Sequence, residues 1–156
     1  MGLKEELGLD QAIETIEHEC LLNIVYTGTI FNKLSYRFFS KTGITDAQFN
    51  VLMQLKYSSK QELSQVELSR RLFVNRADIT GLIDRLEKGG YVSRGVHPTD
   101  RRVNIIKVSA KGLDLLKRLE PAYFAEVNKL FKNLNKGEIT GIISSLEKIR
   151  KQTGTK

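Results

Sequence analysis

The stretch "LSRRLFVNRADITGLIDRLEKGGYVSR", residues 68 to 94, decides how this chain is read. Within it Ile79, Leu82, Ile83 and Leu86 recur at i, i+3, i+4 and i+7, the spacing that puts apolar side chains on one face of a helix. That leaves Arg76, Ala77, Thr80, Gly81 and Asp84 facing outward. A generic solvent face would carry long Glu and Lys side chains, whereas small residues let a helix backbone sit close to another surface. Arg76 can make a bidentate contact to guanine, Thr80 can meet a base edge or phosphate, and a helix N-terminus attracts phosphate. The preceding helix joins this one through "FVN", residues 73 to 75, a connection of the length used in helix-turn-helix units.

The helix starts on either side share one grammar: a small polar cap, an acid or amide three residues on, and an apolar pair able to staple across the cap. "ITDAQF" offers cap Thr45 with Gln48 and staple Ile44 with Phe49; "LSQVEL" offers Ser64 with Glu67 and Leu63 with Leu68. "VNRADI" offers Asn75 with Asp78 and Val74 with Ile79; "LNKGEI" offers Asn135 with Glu138 and Leu134 with Ile139. Helices are therefore predicted over about 46–57, 65–72, 76–88 and 136–151. A longer helical pattern runs from about 10 to 40, with Ile13, Ile16, Cys20, Leu21 and Ile24 on one face, and is too long for a small core to bury. Another spans about 110–133, where Pro121 should kink it or restart it.

After Gly89-Gly90 ends the central helix, "YVSRGV" and "VNIIKV" read as β-branched strands joined by "HPTDRR", residues 97 to 102. A hairpin behind a recognition-type helix is a wing. Arg101 and Arg102 taken alone fit a solvated turn, but at a wing tip their planar, weakly hydrated heads suit the negative potential of a narrow groove. Asp100 can pair with Arg102 and orient it. The fold class expected is mainly α with a small β-hairpin wing: a winged helix-turn-helix core at 44–108, flanked by helices at 10–40 and 110–152, in one domain over 1–156. The candidate DNA-facing residues are Ser64, Asn75, Arg76, Ala77, Thr80, Gly81, Asp84, Arg85, Arg94, Arg101 and Arg102, with Asp100 as the wing-orienting residue.

The bulk properties agree. The 156 residues are 40% hydrophobic, enough for a real core, and the net charge of +7 favours an acidic partner. Residues 1–19 are acidic; from Arg70 to Lys107 nine basic residues face four acidic ones. One cysteine excludes an internal disulfide and cysteine-based metal clusters, and fits a reducing compartment. The longest apolar runs, such as "LLNIV" at 21–25, fall far below the roughly 18 residues of a membrane span, and the N-terminus has no signal-peptide pattern, so a cytoplasmic location without membrane attachment is expected. His18 and His97 have no clustered ligands beside them, and neither a Gly-rich phosphate loop nor a nucleophile elbow is present; no metal, no cofactor and no catalysis are expected.

The run from "ITDAQFNVL" through the quoted stretch to "TDRRVNIIKVSAKG" resembles the winged helix-turn-helix core of the MarR (multiple antibiotic resistance regulator) family. The family's wing signature, Asp, one residue, Arg, five residues, then Leu-Thr, reads here Asp100, Arg101, Arg102, Val103 to Lys107, then Val108-Ser109, a conservative departure in the last pair. The resemblance covers nearly the whole chain. It implies a transcription regulator, usually a repressor, that binds a pseudo-palindromic operator in double-stranded DNA as a homodimer and often releases it when a small-molecule effector or oxidant acts. Terminal helices that intertwine in the family's dimer would take up the apolar surface that one core leaves uncovered.

Three alternatives stand beside this reading. A winged helix can serve protein contacts, but that requires an apolar rather than a small and polar outward face at 76–84. Cys20 has a counterpart in the peroxide-sensing branch of the family, yet "CLLNIVY" lacks an aromatic directly after the cysteine and a Tyr four residues on, so core packing beside Ile13, Ile16 and Ile24 is the favoured reading and a redox role the alternative. Tyr26, Phe31, Tyr36 and Phe39 can line an aromatic effector pocket or pack in a dimer core.

Overall fold

The computed structural model describes residues 2–97, 99 and 102–154. The order is α1 (Leu3–Glu6), α2 (Ile16–Phe39), α3 (Asp46–Lys56), β1 (Glu62–Ser64), α4 (Gln65–Leu72), α5 (Arg76–Lys88), β2 (Val92–Val96), β3 (Asn104–Val108), α6 (Ala110–Leu130) and α7 (Lys136–Gln152). The chain divides into two compact units, Met1–Leu113 and Asp114–Lys156.

All four anticipated caps form. Thr45 Oγ1 accepts the Gln48 N–H while Gln48 Oε1 accepts the Thr45 N–H at 2.8 Å, and Asn135 and Glu138 repeat the exchange at 3.0 and 2.7 Å. These reciprocal bonds satisfy N–H groups that the first turn leaves without partners. At α4, Ser64 donates its N–H and its hydroxyl to Glu67 Oε2 at 2.8 and 2.7 Å. The Ser64 hydroxyl, then the Ser64 N–H, hold the Glu67 carboxyl below its ordinary range against an opposing effect of burial, with Arg71 and Arg70 adding weaker attractions than that effect.

The first unit is built around the quoted stretch. Ile79, Leu82, Ile83 and Leu86 of α5 are buried, as is Leu68 of α4, and they share the core with Phe49, Val51, Leu52 and Leu55 of α3. Between α4 and α5 the chain turns through Phe73 at φ 53°, a left-handed conformation uncommon for a residue with a Cβ. Two bonds hold that turn: Val74 N–H to the Ser69 carbonyl at 3.1 Å and Ser69 Oγ to the Val74 carbonyl at 2.6 Å. At the end of α5, Gly90 takes φ 74°, which lets the Tyr91 N–H reach back to the Leu86 carbonyl at 2.9 Å and reverses the chain into β2.

The wing is a three-stranded antiparallel sheet in the order β1-β3-β2, rather than a bare hairpin. Val92 pairs with Val108 and Arg94 with Ile106, while Leu63 of β1 pairs with the other edge of β3 at Ile106. Strand β1 has three residues, too few for a period of two to register in sequence, and its partner lies more than 40 residues away. It anchors the base of the wing to the start of α4.

Helix α6 passes through Pro121 without restarting. Pro121 is exposed, so the carbonyl that it deprives of a donor can be hydrated. Two helices bury very little. Of the 24 residues of α2 only Phe39 is buried, and α7 has none. Ile16, Leu21, Ile24, Val25, Ile30 and Phe31 remain exposed on α2, and Ile142, Ile143 and Ile149 on α7. Among the described residues no helix is long and apolar enough to cross a membrane.

Candidate nucleic-acid interface

Helix α5 begins at Asn75, whose Oδ1 accepts the Asp78 N–H at 2.9 Å and whose Nδ2 donates to Asp78 Oδ2 at 2.7 Å. Asn75 is exposed, but both ends of its carboxamide are engaged in this cap. One residue on, Arg76 is exposed and makes no ion pair among the described residues. Ala77 and Thr80 follow on the same outward side, and Gly81 is half-buried. A Cβ built on Gly81 would stand 3.7 Å from Arg85 Nη1, so the exposed Arg85 guanidinium folds beside the glycine. The outward surface thus carries cationic groups at Arg76 and Arg85 with a low stretch of backbone between them, which suits close approach to a polyanion.

The Thr80 hydroxyl is engaged. Its Oγ1 donates to the Arg76 carbonyl at 2.7 Å and accepts from Nε2 of Gln65, at the start of α4. Gln65 escaped the sequence reading; only its position at the first turn of the preceding helix pointed to it.

Three other candidates, Ser64, Asp84 and Arg94, are engaged within the chain. Ser64 is buried and its hydroxyl closes the α4 capping box, so its side chain is withdrawn from the surface. Arg94 pairs with Asp84 and, at 3.2 Å, with Glu87, and the Arg94 N–H donates to Glu87 Oε1 at 3.2 Å. Asp84 and Arg94 both remain exposed, and with Glu87 they join the last turns of α5 to β2, so any contact they make with DNA is made by groups already ion-paired. Nothing in local spacing announces this, because the three groups come from two elements.

On the wing, Arg102 is exposed. Asp100 and Arg101 lie outside the described residues, and with them the expected pairing of Asp100 with Arg102. The described part of the tip is closed by His97 N–H donating to the Val103 carbonyl at 3.0 Å. At the other end the base is tied to α6: Ser109 Oγ donates to the Gly90 carbonyl at 2.7 Å, Lys111 Nζ donates to the Gly89 carbonyl at 2.7 Å, and the Gly112 N–H donates to Ser109 Oγ at 3.0 Å.

The remaining sequence candidates lie elsewhere. Cys20 is exposed in the single chain, as are Ile16 and Ile24 beside it, so the chain's own core does not cover that face. The four α2 aromatics do not enclose one pocket: Phe39 packs into the core with its ring 5.0 Å from that of Phe49, while Tyr36 is 78% exposed. Among the described residues no group of three or more His, Cys, Asp or Glu side chains could hold a metal ion.

Comparison with known proteins bears on this arrangement. A family model described as the MarR family matches residues 42–103, the segment from the approach to α3 up to the residue before β3. The HTH-type transcriptional repressor YetL of Bacillus subtilis (strain 168) is 30% identical over 120 residues, which cover 77% of this chain and 72% of that protein. A mutant MarR from E. coli, solved in complex with operator DNA, is similar at a TM-score of 0.72 and 25% identity, covering 96% of this chain and 99% of that one. AbsC, a MarR family transcriptional regulator from Streptomyces coelicolor, has a TM-score of 0.84 at 18% identity over 94% of this chain and 100% of that one, a likeness of fold.

Proposed function

Because this chain belongs to the MarR family of DNA-binding transcriptional regulators, we propose that it is a repressor that binds a pseudo-palindromic operator in double-stranded DNA as a homodimer. The observation that carries the DNA-binding part is the outward face of α5: Arg76 unpaired among the described residues, Arg85 beside Gly81, and a wing held to the same helix by Arg94. A recognition helix entering the major groove, with a wing beside it, makes a mixture of base-edge and phosphate contacts. Repression is supported by the 30% identity to YetL, itself a repressor by name. Response to a small-molecule effector belongs to this reading on family membership alone.

The homodimer is supported by the apolar side chains that the chain leaves uncovered on α2 and α7. Exposed apolar surface of this extent marks an association site, and two-fold pairing is the commonest closed solution. An interface of well over roughly 2,000 Å² is expected for an obligate pair, and a monomer in sedimentation equilibrium at micromolar concentration refutes it. Two recognition helices would then meet major grooves about 34 Å apart, setting half-sites one helical turn from each other.

A salt titration tests the DNA-binding reading. Affinity for duplex DNA should fall linearly with ionic strength on a log-log plot, with a slope near 0.9 per phosphate neutralised. Affinity that does not change with salt refutes it.

A further inference from the structure

We propose that Gln65 is a positioning residue that fixes the Thr80 hydroxyl, so that Thr80 reads DNA through its methyl group and recognises a thymine. The inference rests on the DNA-binding reading above and names the chemistry of one contact within it.

Thr80 is exposed on the outward side of α5, one turn beyond Arg76, at the end of the recognition helix that meets base edges. A threonine hydroxyl has one proton to donate. Here that proton goes to the Arg76 carbonyl at 2.7 Å, and one lone pair of the same oxygen is taken by Gln65 Nε2. Most groups on the major-groove edge that a hydroxyl could address by donation, guanine N7 and O6, adenine N7 and thymine O4, are acceptors, as are the phosphate oxygens. The donor they require is in use. Apart from one lone pair, which only the adenine N6 and cytosine N4 amino groups could use, what Thr80 has left to offer is its methyl, and the apolar group on that edge of DNA is the thymine C5-methyl.

Gln65 makes this choice definite. In a helix threonine divides between two χ1 rotamers, one of which bonds the carbonyl a turn back. The bond from α4 adds to that rotamer alone, so the methyl is held in one direction before DNA arrives. Gln65 is free to do so because Ser64 and Glu67 already cap α4. Its side chain reaches a residue 15 positions along the chain on the neighbouring helix.

The test uses the full-length protein and a duplex recovered by in vitro selection with it, in which each thymine is replaced in turn by deoxyuridine, removing only the 5-methyl. Wild-type protein should lose affinity by about four-fold, the worth of one buried methyl, at one thymine in each half-site. Thr80→Ser keeps the hydroxyl and its two partners but lacks the methyl, and should abolish that loss at that position alone. Gln65→Ala should reduce it while leaving the salt slope unchanged, whereas loss of a phosphate contact would lower the slope by about one. A wild-type scan with no sensitive thymine, or a Thr80→Ser scan identical to wild type, overturns the methyl contact. A Gln65→Ala scan identical to wild type overturns the positioning role. Failure to recover any duplex whose binding depends on salt overturns instead the DNA-binding reading beneath both, and melting curves matched to wild type show that each variant is folded.

Discussion

Gly112→Ala should unseat the base of the wing. Gly112 is buried in the first turn of α6, where that helix crosses the turn between α5 and β2. A Cβ there would stand 2.3 Å from the Tyr91 carbonyl oxygen and 2.8 Å from Val108 Cγ2, the first of these 0.7 Å inside the 3.0 Å that real Cβ contacts respect. The obstacle is backbone, which cannot rotate away as a side chain would. Overpacking of this kind costs about 1 to 3 kcal/mol, and the upper end applies, since Tyr91 is also held by the Ser109 N–H at 3.0 Å. The higher helix propensity of alanine offsets about 1 kcal/mol, leaving a net loss near 2 kcal/mol and a fall in Tm of about 4 to 8 °C for a chain of this length. Gly141→Ala is the control. Gly141 is exposed on α7 with nothing within 4 Å of its Cβ position, so the same substitution should raise Tm by about 2 to 4 °C. Circular dichroism melts of the two variants check the pair, and DNA affinity measured well below the transition should fall for Gly112→Ala, because Tyr91 leads directly into β2. A Gly112→Ala protein melting within 1 °C of wild type, or a Gly141→Ala protein destabilised as much, would refute the steric account.

Arg94→Met removes an ion pair whose acidic partners are 55% and 39% exposed, so stability should change by less than about 1 kcal/mol. DNA affinity should nevertheless drop for all sequences with an unchanged salt slope, since the wing loses its hold on α5; a slope lowered by about one would show instead that Arg94 meets a phosphate. Glu67→Gln tests the α4 cap through pH. Because the folded Glu67 carboxyl titrates below its ordinary value of 4.5, its contribution is complete above that value and is lost as pH falls through the lowered one. Urea unfolding should therefore show a stability gap between wild type and variant that is constant near neutrality and narrows in acid, and a gap equal at every pH would contradict the assignment. Arg76→Ala should relax preference at one base position and weaken binding by about 1 to 3 kcal/mol, as read by selection of bound sequences; uniform weakening across sequences would recast Arg76 as a phosphate anchor.

The features legible in the sequence are those whose cause lies within about one helical turn. A cap and its partner are three residues apart and an apolar face repeats every three or four, so α4 and α5 fall on the anticipated 65–72 and 76–88, and α3 and α7 end within one residue of expectation at Lys56 and Gln152. Gly90 with its positive φ could be foreseen as a helix end for the same reason. Tertiary structure decided whatever depends on atoms brought together from distant positions. Strand β1 exists because Leu63 finds Ile106 across the sheet, and Ser64 is withdrawn because that strand carries it inward. Arg94 is directed to Asp84 and Glu87, and Thr80 is held by Gln65, because turns of fixed geometry lay β2 and α4 against α5. Cys20 shows the limit from the other side: the face it shares with Ile16 and Ile24 is plainly apolar in sequence, but periodicity records only which side chains share a face, and burial depends on whether another surface arrives to cover it.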